Sequence, residues 1–227
     1  MTKKTVLQEN ALEMEGFELG RPSLVCRWRL ADRALPLENR HLRALSRRML
    51  GGAPVSPQLV AWAKQHIEWT LSAGAPEHPD GVLMVIVDGK GRAAMTVGPY
   101  EPLKTRAVSL LADRAAAAER EAGATGIAPE SLWVVRGDGL VWGAGQRDLP
   151  SGAASLMCDL AKTLGIAVER RSELSQEVLA GTISYDEAFL VSDEHGIVPA
   201  SNASGPRSAR FSDDYARLLE KTHARRG

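Results

Sequence analysis

The stretch LWVVRGDGLVWGAG, residues 132–145, decides the fold class. Its first apolar run covers residues 132–136, and a second apolar run covers residues 140–142. The residues between the runs, Gly137-Asp138-Gly139, favour a tight turn, because glycine and aspartate tolerate the backbone angles that such turns need. Two short apolar runs on either side of a glycine-rich turn predict a β-hairpin whose strands are buried.

The sequence around this hairpin predicts both helices and strands. An alanine-rich stretch over residues 107–122 predicts a helix that Gly123 ends. Toward the C-terminus the pattern predicts helices over 153–164, 175–179 and 213–224, the last with Ser212 as N-cap, and strands over 166–169 and 188–192. Since strands and helices are interspersed without strict alternation, the fold class is predicted as α+β.

The N-terminal part predicts a smaller α+β unit with the order strand, helix, helix, strand, strand. Its predicted elements are strands over 23–30, 81–87 and 93–97 and helices over 38–50 and 56–72, the second with Ser56 as N-cap and Pro57 at its first position. Two prolines in residues 98–102 make that segment a predicted linker. We therefore expect a small domain over 1–98, a larger domain over 103–227, and a cleft between them.

Composition narrows the functional classes. The chain has 227 residues with 28 Lys plus Arg and 28 Asp plus Glu, so net charge gives no reason to expect a nucleic-acid partner. Cys26 and Cys158 stand alone and without the spacing of a metal site or a disulfide framework. Residues 1–16 lack the apolar core of a signal peptide, and no run reaches membrane-spanning length, so a cytoplasmic protein is expected.

Four short strings, in this order and spacing, resemble the type IV pyridoxal-phosphate enzymes. They are LPLENRHLRAL at 35–45, PLKT at 102–105, DGLVWGAG at 138–145, and the pair LGIAVER at 164–170 and DEAFLVS at 186–192. That family includes branched-chain and D-amino acid aminotransferases and aminodeoxychorismate lyase. The resemblance covers residues 23–211 and implies a shortened form of the family's two-domain fold, a homodimer, and an aminotransferase or lyase acting on an amino acid or an amino-chorismate-like small molecule.

The resemblance also implies roles for single residues. Lys104 stands where the family lysine forms its Schiff base with pyridoxal phosphate. Arg43 is the arginine nearest to the phosphate-gripping position, on which the ungapped match places Ala44. Ser192 and the turn at Gly152 are the further candidates for holding the phosphate. The family glutamate that faces the pyridine nitrogen falls at Gly143 without a gap, or at Trp142 with one.

A second interpretation keeps the fold without the cofactor. The loop SDEHG at 192–196 replaces the family's Ser/Thr-rich phosphate loop, and its carboxylates would repel a phosphate. Asp193, Glu194 and His195 beside Lys104 could instead supply acid and base groups in the same cleft. A third interpretation is a non-catalytic dimeric accessory protein. The sequence predicts no metal site in any of these cases.

Overall fold

A computed structural model of the chain describes residues 18–224. The strands in that range are β1 (Pro22–Arg29), β2 (Met49–Leu50), β3 (Ala53–Pro54), β4 (Val82–Asp88), β5 (Ala93–Gly98), β6 (Glu130–Arg136), β7 (Gly139–Trp142), β8 (Val168–Arg170), β9 (Glu187–Ser192) and β10 (Gly196–Pro199). The helices are α1 (Glu38–Leu45), α2 (Pro57–Gly74), α3 (Val108–Thr125), α4 (Gly152–Thr163), α5 (Leu174–Ala180) and α6 (Pro206–Ala224). The mixture confirms the predicted α+β class.

A small antiparallel sheet has the strand order β1-β4-β5. The helix α2 covers one face of this sheet with the predicted apolar stripe, of which Leu59, Ala63, Ile67 and Leu71 are buried. Ser56 caps α2 as predicted, because its Oγ accepts a hydrogen bond from the Leu59 N–H at 3.2 Å. The core of the small sheet therefore forms from residues between Leu24 and Val97.

A larger sheet has the strand order β10-β9-β6-β7-β8 and contains the predicted hairpin as β6 and β7. Only the β7–β8 pair is parallel. The helices α3 and α5 cover one face of the large sheet, and α4 and α6 cover the other. Side chains of β6 point alternately into these two cores, which is the ordinary consequence of a strand buried on both faces.

Some predicted boundaries are wrong. The helix predicted over 38–50 ends at Leu45, and the chain then turns so that the Arg48 side chain is only 2% exposed. The helix α3 continues past Gly123 to Thr125, where Gly126 in the left-handed conformation (φ 79°) ends it.

The start of α6 and the strand β10 were also missed. The helix α6 starts at Pro206 rather than at residue 213, and its first N–H groups donate to Glu187, a residue distant in sequence. The strand β10 begins at Gly196, whose φ is 71°, directly after the tight turn of residues 193–195.

The loop of residues 193–195 between β9 and β10 connects the two sheets. The Arg29 N–H of β1 donates to the Asp193 carbonyl at 3.1 Å, and Arg40 of α1 forms an ion pair with Asp159 of α4 at 2.8 Å. This loop carries all three residues predicted as acid–base candidates.

The predicted absence of a signal peptide concerns residues 1–16, which lie outside the described range. Among the described helices, none has the length and apolarity needed to cross a membrane.

Candidate functional site

A cavity of about 520 Å³ lies where β1 and β4 of the small sheet meet α3 and the β9–β10 loop. The segment from Gly98 to Lys104 forms another part of its wall. Its ionisable lining consists of Arg27, Glu101, Lys104, Arg114, Glu194 and His195. Arg27 pairs with Glu194 and Arg114 pairs with Glu130 behind the wall, so Lys104 and Glu101 are the charged lining residues without an ion-pair partner within residues 18–224.

Arg27 and Glu194 form a two-pronged ion pair across the cavity wall. The Arg27 Nε and Nη2 atoms donate to the two Glu194 carboxylate oxygens at 2.5 and 2.6 Å. Burial alone raises the pKa of Glu194, but the hydrogen bond from Arg27 and the charges of His195, Arg27 and Arg114 outweigh it and hold the pKa below its ordinary value. Glu194 is therefore anionic at neutral pH and neutralises Arg27.

His195 is held as a neutral imidazole with a defined tautomer. Its Nε2 lies 3.3 Å from Arg114 Nη2, and since a guanidinium can only donate, Nε2 accepts and Nδ1 carries the proton. Nδ1 lies 3.5 Å from the Tyr100 hydroxyl. Burial is the largest influence on His195 and lowers its pKa, although Glu194 and Glu130 act in the opposite direction. The lowered pKa keeps the imidazole neutral at pH 7, with a lone pair on Nε2 that can accept a proton.

Arg114 is itself fixed by Glu130 at the start of β6. The Arg114 Nη2 and Nε atoms donate to the Glu130 carboxylate at 2.7 and 3.0 Å. Ser192 donates its hydroxyl to the same carboxylate at 2.9 Å and accepts the N–H of His195 at 3.0 Å. No local sequence pattern indicates Arg114 and Glu130, because only the packing of α3 on the large sheet brings them to His195.

Lys104 lies in the wall of this cavity with its side chain exposed. It has no hydrogen-bond or ion-pair partner within residues 18–224. Glu194 and His195 line the same cavity. The ammonium of Lys104 is thus the cation that no internal carboxylate neutralises.

Asp193 faces the opposite direction, into the protein interior. The residue is 3% exposed, and its Oδ1 accepts the Ala153 N–H at 2.8 Å at the start of α4. Its Oδ2 lies 3.7 Å from His41 Nδ1 of α1. The three predicted acid–base residues are therefore split, with Glu194 and His195 at the cavity and Asp193 behind it.

Comparison with solved structures finds the same overall architecture in several proteins. A structure assigned as a 4-amino-4-deoxychorismate lyase from Legionella pneumophila matches with a TM-score of 0.61 at 11% identity, over 91% of this chain and 97% of the other. An aminotransferase from Brucella abortus bound to pyridoxal phosphate matches with 0.54 at 17%, over 90% and 94%. A fold IV transaminase from Curtobacterium pusillum matches with 0.52 at 13%, over 93% and 91%.

The chain has the fold of the type IV pyridoxal-phosphate enzymes. Identities of 11 to 17% establish this fold and leave the activity to be argued from the site. No sequence-family model matches the chain. No curated protein matches it either.

Within this type IV fold, the three residues implied for phosphate binding have different environments. The Arg43 side chain is exposed and makes no hydrogen bond or ion pair within residues 18–224. Ser192 donates its hydroxyl to Glu130. Gly152 does lie at the first position of α4, where it packs against the His41 ring.

The position implied for the pyridine partner lies in a different cavity from Lys104. Gly143 lines a cavity of about 240 Å³ together with Glu119, Trp142 and Ser151. Glu119 is the carboxylate nearest to this glycine, since a Cβ added at Gly143 would lie 3.5 Å from its Oε1. Burial is the main influence on Glu119 and raises its pKa, and its Oε1 accepts the Ser175 hydroxyl at 2.7 Å. The sequence did not identify this residue, which only the helix packing brings to Gly143.

These placements test whether the site fits pyridoxal phosphate. The cofactor needs its lysine, its phosphate donors and its ring partner around one space. Here the Ala153 N–H of the implied phosphate turn is bonded to Asp193, while Lys104 and Gly143 line separate cavities. The residues present do not fit the group. Within residues 18–224 there is also no cluster of three His, Cys, Asp or Glu side chains that could hold a metal ion.

Proposed function

We propose that the protein binds a small carboxylate-bearing molecule in the 520 Å³ cavity and transfers a proton to or from it through His195, without pyridoxal phosphate. The observation that carries this proposal is that the His195 imidazole and the unpaired ammonium of Lys104 line one cavity. The type IV fold of the relatives supports a small-molecule ligand at this place.

The charges of the wall determine the ligand class. Glu194 pairs with Arg27 and Glu130 pairs with Arg114, so both guanidiniums are neutralised within the protein. Lys104 remains to pair with a negative charge on the ligand, and the unpaired Glu101 in the same wall disfavours any further negative charge. A monoanionic carboxylate complements this wall better than a dianionic phosphate ester, which would bring a second charge close to Glu194.

His195 is suited to act as the base. The 3.3 Å contact between its Nε2 and Arg114 is long for a charge-assisted hydrogen bond, so a ligand that attracts Arg114 would free the lone pair. The Glu130 Oε1 atom lies 3.9 Å from the His195 Nε2 atom, and Glu194 directly precedes His195 in the chain. Both carboxylates would stabilise the imidazolium after proton uptake. Tyr100 would retain the tautomer through its contact with Nδ1.

Titration with benzoate and pyruvate, followed by NMR of the histidine imidazoles, tests the proposal. We expect at least one of the two carboxylates to shift the His195 resonances, and we expect Lys104→Ala to weaken that binding by about fivefold or more. Lys90→Ala changes an exposed lysine in the β4–β5 turn and serves as the matched control. If neither carboxylate moves the His195 resonances, the proposed ligand class is wrong.

A pyridoxal-phosphate aminotransferase or lyase, with the homodimer that the resemblance implies, is the second candidate. The place of Lys104 in the cavity wall, four residues before α3, favours it. Titration with pyridoxal phosphate followed by borohydride reduction and peptide mapping distinguishes the two candidates. We expect no preferential labelling of Lys104 over Lys90. A strong visible aldimine band that Lys104→Ala removes would refute the cofactor-free proposal and establish the second candidate.

A further inference from the structure

The N-terminus of α4 is buried and lies against a carboxylate. Its Ala154 N–H is capped by the Ser151 hydroxyl at 3.2 Å, while the Ala153 N–H points at a partner from another part of the chain. Backbone N–H groups at this end have no acceptor within the helix, and together with the dipole of a twelve-residue helix they favour negative charge here. The group that lies there is the Asp193 carboxylate.

A second, independent feature marks the same place as an anion site. His41 is 2% exposed, and its Nδ1 has no hydrogen-bond partner within the described residues. This nitrogen faces the Asp193 Oδ2 at 3.7 Å, a separation too long for a hydrogen bond. The ring is held in this position by stacking on Trp28, with centroids 5.0 Å apart and planes 16° apart. A larger anion could reach Nδ1 where the aspartate does not.

Charge in the surroundings acts in the same direction. Burial by itself raises the pKa of Asp193, but His41, the Ala153 N–H and the positive charge of Arg48 outweigh it and hold the pKa below its ordinary value. Arg48 is 2% exposed and forms one long hydrogen bond, from Nη1 to the Thr125 hydroxyl at 3.5 Å. Burial raises the pKa of Glu121 and the positive charge of Arg48 opposes this rise, so Arg48 adds to the positive potential of this region.

The implied phosphate-binding segments of the type IV fold meet at this place. The residue after β9, the start of α4 and the helix α1 all contribute to the site. We propose that the Asp193 carboxylate is an intramolecular ligand that fills an anion site formed by the α4 N-terminus and His41, and that the site binds a free oxyanion such as formate or phosphate once this carboxylate is removed. Asp193 is thereby a specificity residue that excludes phosphorylated ligands. This inference does not depend on the acid–base role of His195.

The test is chemical rescue of Asp193→Ala, measured by thermal unfolding. We expect the variant to unfold at a lower temperature than the wild type. Formate or phosphate should raise its Tm by about 4 °C at ten times the dissociation constant, whereas chloride at equal ionic strength should not. The wild type should show no such anion-specific rise, because its own carboxylate fills the site.

Asp159→Ala is the matched control, since this carboxylate lies on the same helix with its side chain 62% exposed. It should show no rise specific to formate or phosphate. If neither anion raises the Tm of Asp193→Ala more than that of the control, the proposal is overturned.

The isosteric variant Asp193→Asn decides where Asp193→Ala does not fold. A Tm below that of the wild type at pH 7 supports the site. A Tm equal to that of the wild type shows that the site has no preference for negative charge and overturns the proposal.

Discussion

At the scale of single residues, Gly152 shows how closely the α4 N-terminus packs. A Cβ at this position would overlap the His41 ring, with 2.8 Å to Cε1 and a shorter distance to Nδ1. His41 cannot move away easily, because it stacks on Trp28 and is buried. The glycine therefore permits the close approach of α1 and α4 that places His41 beside Asp193.

This contact predicts the effect of Gly152→Ala. The added methyl group forces the His41 ring or the start of α4 to shift, so we expect a loss of about 1–3 kcal/mol in the free energy of unfolding. Urea denaturation measures it. Gly123→Ala is the control, because Gly123 is exposed within α3 and a Cβ there would contact nothing within 4 Å. That change should stabilise the protein by about 0.5–1 kcal/mol, and equal effects of the two substitutions would contradict the steric argument.

At the scale of elements, β9 fixes two helices through the carboxylates at its ends. Glu187 at the start of β9 accepts the Arg207 and Ser208 N–H groups of α6 at 3.1 and 2.7 Å. Asp193, directly after the strand, accepts the Ala153 N–H of α4. A strand that is buried along its length thus places a negative charge at each of two helix N-termini.

This arrangement explains which elements the sequence could predict. The hairpin at 132–142 and the Ser56 cap were predicted correctly, because turn residues, caps and apolar spacing are local signals. The start of α6 was missed because Glu187, a residue about twenty positions away, accepts its N–H groups. No local pattern records such a partner.

The candidate site divides in the same way. Lys104 and the loop of residues 193–195 were identified from short strings, and the structure places Lys104, Glu194 and His195 around one cavity. The sequence could not indicate that Asp193 faces the interior, because successive residues in a loop have no fixed alternation. Arg48 was expected on a helix that extends to residue 50, and the early end of α1 buries it instead.

At the scale of the whole molecule, the ion pairs and hydrogen bonds of the β9–β10 loop join the two sheets. Arg27 of β1 binds Glu194, and the Arg29 N–H donates to the Asp193 carbonyl. Each of these contacts lies within a few residues of a group whose pKa is shifted. The stability of the assembled molecule should therefore depend on pH through this loop.

The expected profile follows from the sign of the His195 shift. Burial lowers the pKa of His195 below its ordinary value of 6.5, so the unfolded chain takes up this proton first as the pH falls. The neutral His195 therefore contributes its full stabilisation above the ordinary pKa, and this stabilisation is lost as the pH falls through the lowered pKa of the folded protein. The Tm should decrease from pH 7 to pH 5. His195→Gln should flatten this decrease. His78→Gln, a half-buried histidine near β4, should retain it. A wild-type slope in His195→Gln would show that His195 is not the group that titrates.

Asp193 should cause a further loss of stability in acid. Its pKa in the folded protein is held below the ordinary value of 3.8, so the free energy of unfolding should decrease further below pH 3.8, and Asp193→Asn should remove this decrease.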